Sequence, residues 1–140
     1  MQIKLKKLVP EAKIPKYAHK GDAGMDLFSI KDLILKPNHR AVIGTGISIE
    51  IPKGYVSLVW DKSGIGSKGI KTMAGVIDNS YRGEYKIVLV NLSSKDYKIK
   101  KGDKIAQLLI QPIVHAKIKE TKVLTRSSRA KKGFGSTGLK

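Results

Sequence analysis

The sequence has no cysteine among its 140 residues. Disulfide bonds, thiolate metal sites and cysteine catalysis are therefore excluded, and the three histidines lack the spacing of metal ligands. Aromatic residues make up only 6% of the chain, too few for the stacking platform of a single-strand nucleic-acid binder. No apolar run approaches the length of a membrane span, and no signal peptide precedes the first strand-like segment. We therefore expect a cytoplasmic protein without a membrane partner.

Arginine is also scarce, although the chain is strongly basic. Its 28 lysine and arginine residues face 11 aspartate and glutamate residues, for a net charge of +17. Only four of them are arginine (Arg40, Arg82, Arg126 and Arg129), and the lysines are scattered rather than collected in one block. Arginine is the usual reader of base edges and the usual clamp for phosphates, so nucleic acid is not the expected partner. A lysine-rich solvated surface is the simpler interpretation. A functional basic field, such as that of a nucleic-acid-binding barrel, is the alternative.

Short alternating or β-rich apolar segments recur along the chain, and no window keeps a helical period. They predict strands at residues 1–9, 47–51, 56–60, 85–91, 105–114 and 117–124. Turn residues separate them, as in 36–39, 51–54 and 101–103. The single helix candidate, residues 64–70, is weakened by two internal glycines. The pattern predicts one all-β domain, either a barrel or a sandwich.

The last residues, 125–140, differ in composition from the rest of the chain. They have almost no apolar content except Phe134, so the segment alone cannot bury enough surface to stay ordered. One interpretation is a frayed tail. The other is an arm that becomes ordered on a phosphate compound, since Arg129, the glycines and the hydroxyls supply charged and backbone donors. We expect a domain at 1–124 followed by a mobile C-terminal arm at 125–140.

Four other segments carry residues suited to catalysis or binding. Asp78 lies between apolar residues and a tight turn, where partial desolvation would favour a general base; an aspartate that caps the turn is the alternative. Residues 61–66 offer a hydroxyl and backbone amides in a loop. Gln107 lies within an apolar strand, where its amide must bond to the structure or to a ligand. Asp26 follows a glycine turn. Each pattern alone also fits an ordinary turn or strand.

Taken together and in order, five segments resemble the five motifs of the homotrimeric deoxyuridine triphosphatase (dUTPase) family. They are Ala23-Gly-Met-Asp-Leu-Phe-Ser29, Asp61-Lys-Ser-Gly-Ile-Gly66, Gly75-Val-Ile-Asp-Asn-Ser-Tyr-Arg-Gly-Glu84, Gly102-Asp-Lys-Ile-Ala-Gln-Leu-Leu109 and Arg129-Ala-Lys-Lys-Gly-Phe-Gly-Ser-Thr-Gly138. The connecting residues 45–55 fit as well, so the resemblance covers nearly the whole chain.

The resemblance implies a fold, an activity and an assembly. The fold would be a jelly-roll-like β-barrel with at most one short helix, in a homotrimer with three active sites at subunit interfaces. The reaction would be Mg²⁺-dependent hydrolysis of dUTP to dUMP and pyrophosphate, which limits uracil incorporation into DNA and supplies dUMP for thymidylate synthesis. Asp78 would activate the water that attacks the α-phosphorus. Mg²⁺ would bind the three phosphates without a direct protein ligand, with Asp26 reaching it through water.

The resemblance also implies how the nucleoside is recognised. The backbone of Gly75, Val76 and Ile77, together with that near Lys86, would read the uracil edge in a hairpin pocket. Tyr81 would pack on the deoxyribose and leave no room for a 2′-hydroxyl.

The triphosphate would be held by residues of the second, fourth and fifth motifs. Those of the second and fourth are Lys62, Ser63, Gly64 and Gln107. Phe134 of the C-terminal arm would cover the uracil ring. The far phosphates would be held by Arg129, Gly135, Ser136 and Thr137. This arm would come from a neighbouring subunit.

Three positions depart from the family's pattern. Lys62 stands where the second motif usually has arginine, which keeps the charge but loses the planar fork. Ser80 stands where the third motif usually has a second acid; because Asp78 is in place, this changes the support of the site rather than its chemistry. Lys131 and Lys132 stand where the fifth motif usually has glycine, and they add positive charge beside a polyanionic substrate.

Two alternative functions share this fold. A non-catalytic module would bind a nucleotide or a protein partner, but the intact Asp78 and the complete tail favour an enzyme. A relative that deaminates dCTP also has the fold, and the uracil-type hairpin with the final phosphate arm fits dUTP hydrolysis better.

Overall fold

The computed structural model describes residues 1–131 and 133, and in this part of the chain nearly all regular structure is β. The elements in chain order are β1 (Lys4–Lys7), β2 (Met25–Phe28), β3 (Leu33–Leu35), β4 (Arg40–Gly44), β5 (Ile47–Glu50), β6 (Tyr55–Trp60), α1 (Ser63–Gly66), β7 (Ile70–Met73), β8 (Val76–Ile77), β9 (Lys86–Asn91), β10 (Tyr97–Ile99) and β11 (Lys104–Pro112). The all-β class with one short helix, predicted from the sequence, is confirmed. No helix in these ranges is long and apolar enough to span a bilayer.

The strands form four antiparallel sheets around a common core. In the largest sheet β2, β11, β6 and β8 lie side by side in that order, and β4, β9 and β7 form a second sheet. Two further pairs, β1 with β5 and β3 with β10, complete the set within the described residues. These sheets do not close into a barrel in the part of the chain that is described. In the largest sheet β8 is an edge strand, which exposes one side of its backbone.

Alternating apolar side chains build the core. Ile47 of β5 and Ile87 and Leu89 of β9 are buried to 1% exposure or less. Every second residue of a strand points to the same face, so the alternation seen in the sequence brings such side chains together. Each contributes about 1.5–3 kcal/mol on burial. Tyr85 is also fully buried, and its hydroxyl forms a hydrogen bond with Ser57 Oγ at 2.8 Å, which satisfies its polar atom.

A register shift in β11 determines which residues face the candidate site. The pairing of β11 with β2 is irregular between Lys104 and Ala106. Beyond the shift, Gln107 lies opposite Asp26 on one side and opposite Trp60 on the other. Bulges of this kind redirect side chains locally, so residues of three strands meet at one level of the sheet.

The helix is shorter than the sequence predicts. It covers Ser63–Gly66 rather than 64–70, and the chain then turns through Gly69, whose φ is +81°. Glycine adopts this left-handed conformation without strain, and the conformation ends a helix. Gly69 therefore turns the chain into β7, and the helix is limited to one turn.

Residues 113–124 contain no strand or helix, although their alternating pattern predicts a strand at 117–124. This prediction was wrong. Ile118 is 97% exposed and Val123 is 79% exposed, because nothing in the described part of the chain covers them. Alternation produces a strand only where another strand supplies hydrogen bonds and an apolar face. The division between domain and arm at residue 124 remains a prediction.

Candidate active site

Gly75 brings the third motif close to strand β6. In the β8–β6 pair Ile77 lies opposite Ser57, and the N–H of Val59 donates to the carbonyl oxygen of Gly75 at 2.8 Å. The φ of Gly75 is +154°, and a Cβ at this position would lie 2.6 Å from the carbonyl oxygen of Val59. Only glycine permits both this conformation and this approach. The residue type at position 75 therefore determines where the hairpin begins.

The turn after β8 holds Asp78 in a defined place. The N–H of Tyr81 donates to the carbonyl oxygen of Asp78 at 3.1 Å. Arg82 Nη1 donates to the carbonyl oxygens of Asn79 at 2.6 Å and Tyr81 at 2.9 Å. The Tyr81 hydroxyl donates to the carbonyl oxygen of Glu84 at 3.2 Å. Asp78 itself is exposed, so the partial desolvation predicted from the sequence is not provided by the single chain.

A cavity of about 250 Å³ opens on this hairpin. It is lined by Val76, Ile77, Asp78, Tyr81, Glu84 and Lys86. Pockets for whole drug-sized ligands measure about 300–1,000 Å³, so this cavity suits a smaller group, such as one planar ring with part of a sugar. Five of these six lining residues were predicted from the sequence as catalytic or substrate-binding; Glu84 is the exception.

Glu84 is the cavity residue that the sequence analysis did not identify. Its Oε1 accepts a hydrogen bond from the N–H of Gly46 at 2.9 Å, and a Cβ at Gly44 would lie 2.5 Å from the same oxygen. Its Oε2 lies 3.9 Å from Lys86 Nζ. The turn between β4 and β5 therefore anchors the hairpin through this carboxylate. Its place directly after Gly83 in the third motif is the only signal for it in the sequence.

A second group of predicted residues surrounds the buried carboxylate of Asp26, which is 3% exposed. Lys62 Nζ donates to Asp26 Oδ1 at 2.5 Å, and Lys104 Nζ lies 2.7 Å from Oδ2. Burial raises the pKa of Asp26, but the hydrogen bonds and charges of Lys104 and Lys62 outweigh it and hold the pKa below its ordinary value. Asp26 is therefore an anion between two cations. Lys104 is a partner that the sequence analysis did not identify.

Gln107 connects the first, second and fourth motifs. Its Nε2 donates to the carbonyl oxygen of Asp61 at 2.8 Å. A Cβ at Gly24 would lie 2.5 Å from Gln107 Oε1, so the glycine of the first motif leaves room for this side chain. The structure itself thus supplies the hydrogen bond that the sequence required of this amide. Ser63 and Gly64, which follow shortly after Asp61, are exposed at the start of α1.

These two groups of residues lie apart in one chain. β8 and β2 are at opposite edges of the same sheet, with β6 and β11 between them. Three spacings of about 4.8 Å separate the hairpin strand from the strand of Asp26 by about 14 Å. One chain therefore presents the hairpin cavity and the lysine–aspartate cluster as separate parts.

The predicted arm is described only at its beginning. Arg129 is exposed and belongs to the described residues. The other arm residues predicted to bind substrate lie outside the described residues; they are Phe134, Gly135, Ser136 and Thr137.

The acidic side chains of the described residues indicate how the Mg²⁺ implied by the sequence resemblance could bind. Within residues 1–131 and 133, no three histidine, aspartate or glutamate side chains converge. The oxygens of Asp26 are directed to the ammonium groups of Lys62 and Lys104. Mg²⁺ commonly keeps several waters and binds through substrate phosphates. The residues present fit a cation that binds together with phosphate oxygens, with Asp26 in contact with Lys62 of the second motif and Lys104 of the fourth.

Comparison with known proteins shows similarity to dUTPases along nearly the whole chain. The sequence model of the dUTPase family matches residues 10–138. A deoxyuridine 5′-triphosphate nucleotidohydrolase of Clostridium tetani is 48% identical over 139 residues, which cover 97% of this chain and 96% of that protein. The solved structure of Staphylococcus bacteriophage 80alpha dUTPase with dUPNHPP has a TM-score of 0.92 and 33% identity, and the match covers 99% of both chains.

A further solved structure is similar and concerns a metal ion. It is a mutant dUTPase from phage phi11 of S. aureus in which a structural Mg(II) ion is coordinated, with a TM-score of 0.81 and 31% identity over 88% of this chain and 98% of that chain. From the family match and these identities, the chain belongs to the dUTPase family. The jelly-roll-like fold expected from the sequence is the fold of this family.

Proposed function

We propose that this chain is a Mg²⁺-dependent dUTP diphosphatase, which hydrolyses dUTP to dUMP and pyrophosphate. Family membership supports the reaction, because the Clostridium tetani relative is a deoxyuridine 5′-triphosphate nucleotidohydrolase and the phage 80alpha structure contains the analogue dUPNHPP. The single observation that carries the assignment is the hairpin cavity, in which Asp78 lies beside the edge strand formed by Val76 and Ile77.

Asp78 is the general base of this proposal. Its carboxylate takes a proton from a water molecule as the water oxygen bonds to the α-phosphorus. The bond between the α-phosphorus and its bridging oxygen breaks, and pyrophosphate leaves with that electron pair. Phosphoryl transfer depends mainly on positioning, and the hydrogen bonds of the turn from Tyr81 and Arg82 support such a role. Exposure of Asp78 in the single chain leaves it accessible to substrate.

Recognition of uracil is supported by the edge position of β8. Val76 and Ile77 pair with β6 on one side, and β8 ends the order of strands in the described sheet. The free backbone groups of an edge strand readily pair with an additional hydrogen-bonding edge. The edge of uracil offers alternating carbonyl and N–H groups of this kind. The backbone of Gly75 and that near Lys86 also bind the uracil edge. Tyr81 packs on the deoxyribose and excludes a 2′-hydroxyl.

The phosphates are bound by the second and fourth motifs. Lys62 supplies positive charge, Ser63 and Gly64 supply a hydroxyl and backbone N–H groups, and Gln107 supplies its amide. The contact of Lys62 with Asp26 supports this arrangement, because it holds the ammonium group in a fixed place beside the first motif. Lysine acts here as a point charge rather than as the planar fork of arginine.

The dUTPase family is Mg²⁺-dependent, and a bound Mg²⁺ would supply positive charge to the triphosphate. The lack of converging carboxylates in the described residues supports binding through phosphate oxygens. Asp26 would be the residue that holds the hydrated ion, through water. In this proposal the protein's own contribution is the pair of lysines that fixes Asp26 in place.

The site is shared between the subunits of a homotrimer. The separation of about 14 Å between β8 and β2 supports sharing, because the hairpin of one chain then meets the phosphate-binding motifs of another. Val76 is 73% exposed in the single chain and gains cover in such an assembly. In this proposal the C-terminal arm, residues 125–140, closes over the site from a neighbouring subunit when substrate binds. Arg129, Gly135, Ser136 and Thr137 hold the far phosphates, and Phe134 covers the uracil.

The proposed function is tested by incubating the chain with Mg²⁺ and, separately, with dUTP, dCTP, dTTP and UTP, and by measuring pyrophosphate and the nucleotide product. Pyrophosphate and dUMP from dUTP alone support the assignment. Comparable turnover of dTTP or UTP contradicts the hairpin as the reader of base and sugar. Conversion of dCTP to a deaminated product contradicts the reaction type. The cytoplasmic location and the lack of a nucleic-acid partner remain predictions.

A further inference from the structure

Asp61 lies where three parts of the chain meet. Its Oδ1 accepts hydrogen bonds from the N–H and from the Oγ1 of Thr72, both at 2.6 Å. Its Oδ2 accepts a hydrogen bond from Lys71 Nζ at 2.5 Å. Its carbonyl oxygen accepts a hydrogen bond from Gln107 Nε2 at 2.8 Å. Asp61 therefore links the end of β6 to β7 through its side chain and to β11 through its backbone.

The loop that follows Asp61 has few contacts of its own to hold it in place. The N–H groups of Ile65 and Gly66 donate to the carbonyl oxygen of Lys62, which forms one tight turn. Within this fully described loop, α1 buries no residue and has no side-chain cap at its N-terminus. A single helical turn is not stable alone. The position of the loop must therefore be determined at its ends, and Asp61 is the first residue on the β6 side.

The side chain of Asp61 carries the negative charge that its hydrogen bonds require. Its side chain is 27% exposed. Burial raises the pKa of Asp61, but the hydrogen bonds from Lys71 and Thr72 and the charge of Lys71 outweigh it, so the pKa lies below its ordinary value. The carboxylate is therefore ionised at neutral pH and accepts all three hydrogen bonds. Hydrogen bonds to charged groups are among the stronger ones in proteins.

We propose that Asp61 is a positioning residue, which fixes the phosphate-binding loop and Gln107 to strand β7 of their own chain, so that they are in place for the Asp78 hairpin of the neighbouring subunit. The anchor is a strand of the fold, because β7 (Ile70–Met73) contains Thr72. This inference rests on the proposed function. Asp61 touches neither base nor phosphate in it; it acts through the residues that do.

The test compares kcat and KM for dUTP in the wild type and in four variants. Asp61→Ala removes all three side-chain hydrogen bonds, whereas Asp61→Asn keeps an oxygen that accepts from Thr72. Lys71→Gln removes the hydrogen bond to Oδ2 and leaves both hydrogen bonds from Thr72; because Lys71 is 57% exposed, its ion pair with Asp61 contributes little. Asp96→Ala removes one carboxylate from an exposed turn and serves as the matched control.

We expect kcat of Asp61→Ala to fall by about 10- to 100-fold, because small misplacements of a reacting group have effects of this size. KM should change less. Asp61→Asn should recover most of the lost kcat, and Lys71→Gln and Asp96→Ala should resemble the wild type. The turnover is expressed per site that binds dUPNHPP, so partial unfolding, which a merely structural role would cause, does not lower it.

Wild-type kcat per binding site in Asp61→Ala would overturn the inference. If this variant does not fold, Thr72→Val removes one of the three bonds: a lowered kcat per site supports the inference, and an unchanged kcat overturns it. A wild-type chain that does not hydrolyse dUTP would overturn the proposed function instead. The two failures are therefore distinguishable by the wild type alone.

Discussion

Lys62 donates a hydrogen bond to the buried carboxylate of Asp26 at 2.5 Å and so joins the second motif to the first. Burial alone would raise the pKa of Asp26, but Lys104 and Lys62 lower it below the ordinary value. A carboxyl group whose pKa is depressed by folding stabilises the protein above its unfolded pKa. That contribution is lost as the pH falls through the folded pKa. The ion-pair cluster therefore has a pH-dependent signature.

We expect Asp26→Asn to lower the free energy of unfolding by about 1–2 kcal/mol at pH 7, because hydrogen bonds to charged groups are lost while both lysines stay partly solvated. The difference from the wild type should begin to shrink below about pH 4, the ordinary pKa of aspartate, because Asp26 of the unfolded chain takes up a proton there, and it should be lost as the pH falls through the lower folded pKa. Urea unfolding across this pH range measures it. A difference that does not change with pH would contradict the assigned charge state.

Gly75→Ala should destabilise the chain and weaken dUTP binding. The new Cβ would lie 2.6 Å from the carbonyl oxygen of Val59, at a φ of +154°, and strain of this kind costs about 1–3 kcal/mol. Gly54→Ala is the matched control, because Gly54 also has a positive φ, +85°, but no atom lies within 4 Å of its added Cβ. Unfolding temperature and KM are measured for both. Equal effects of the two substitutions would show that the close approach of β8 to β6 is unimportant.

Much of this arrangement follows from local sequence. The alternation of Ile47 and Ile49 and the β-rich run at 85–91 predict strands that the structure contains, since one face of each is buried. The third motif predicts a hairpin pocket beside Asp78, and the structure has a cavity there. Helix α1 was placed correctly within a few residues.

The partners of the acidic side chains could not be predicted in the same way. Lys104 reaches Asp26 only through the pairing of β11 with β2, and Thr72 reaches Asp61 only through the packing of β7 beside the end of β6. These contacts join residues distant in sequence, and short-range patterns contain no information on them. The alternation at 117–124 predicted a strand because sequence alone does not reveal whether an edge is available for pairing.

Deletion of residues 131–140 should leave stability without ligand nearly unchanged but should strongly reduce turnover of dUTP. The segment is too polar to contribute much to a core, and a closing arm acts only when substrate is bound. Phe134→Ala should reproduce part of the loss. Activity and unfolding temperature are measured together. Unchanged turnover would contradict the role of the arm, and a large loss of stability would make the segment structural.

Mixing two inactive variants tests whether the sites are shared. Asp78→Asn lacks the proposed base, and the chain truncated after residue 130 lacks residues 131–140 of the arm. If these parts come from different subunits, trimers formed by unfolding and refolding the mixture contain some sites with both an intact Asp78 and an intact arm, and activity returns in part. Each variant refolded alone is the control. A mixture as inactive as its components would contradict a shared site.

The rate of pyrophosphate release from dUTP by Asp78→Asn tests the central claim most directly. Asparagine keeps the size of the side chain and removes its basicity, and a general base contributes about 10²- to 10⁴-fold to the rate. Asp96→Asn, in an exposed turn, is the control for loss of one negative charge. The account predicts that Asp78→Asn binds dUPNHPP as the wild type does but loses turnover by that factor. Turnover close to that of the wild type would contradict Asp78 as the base that activates the attacking water.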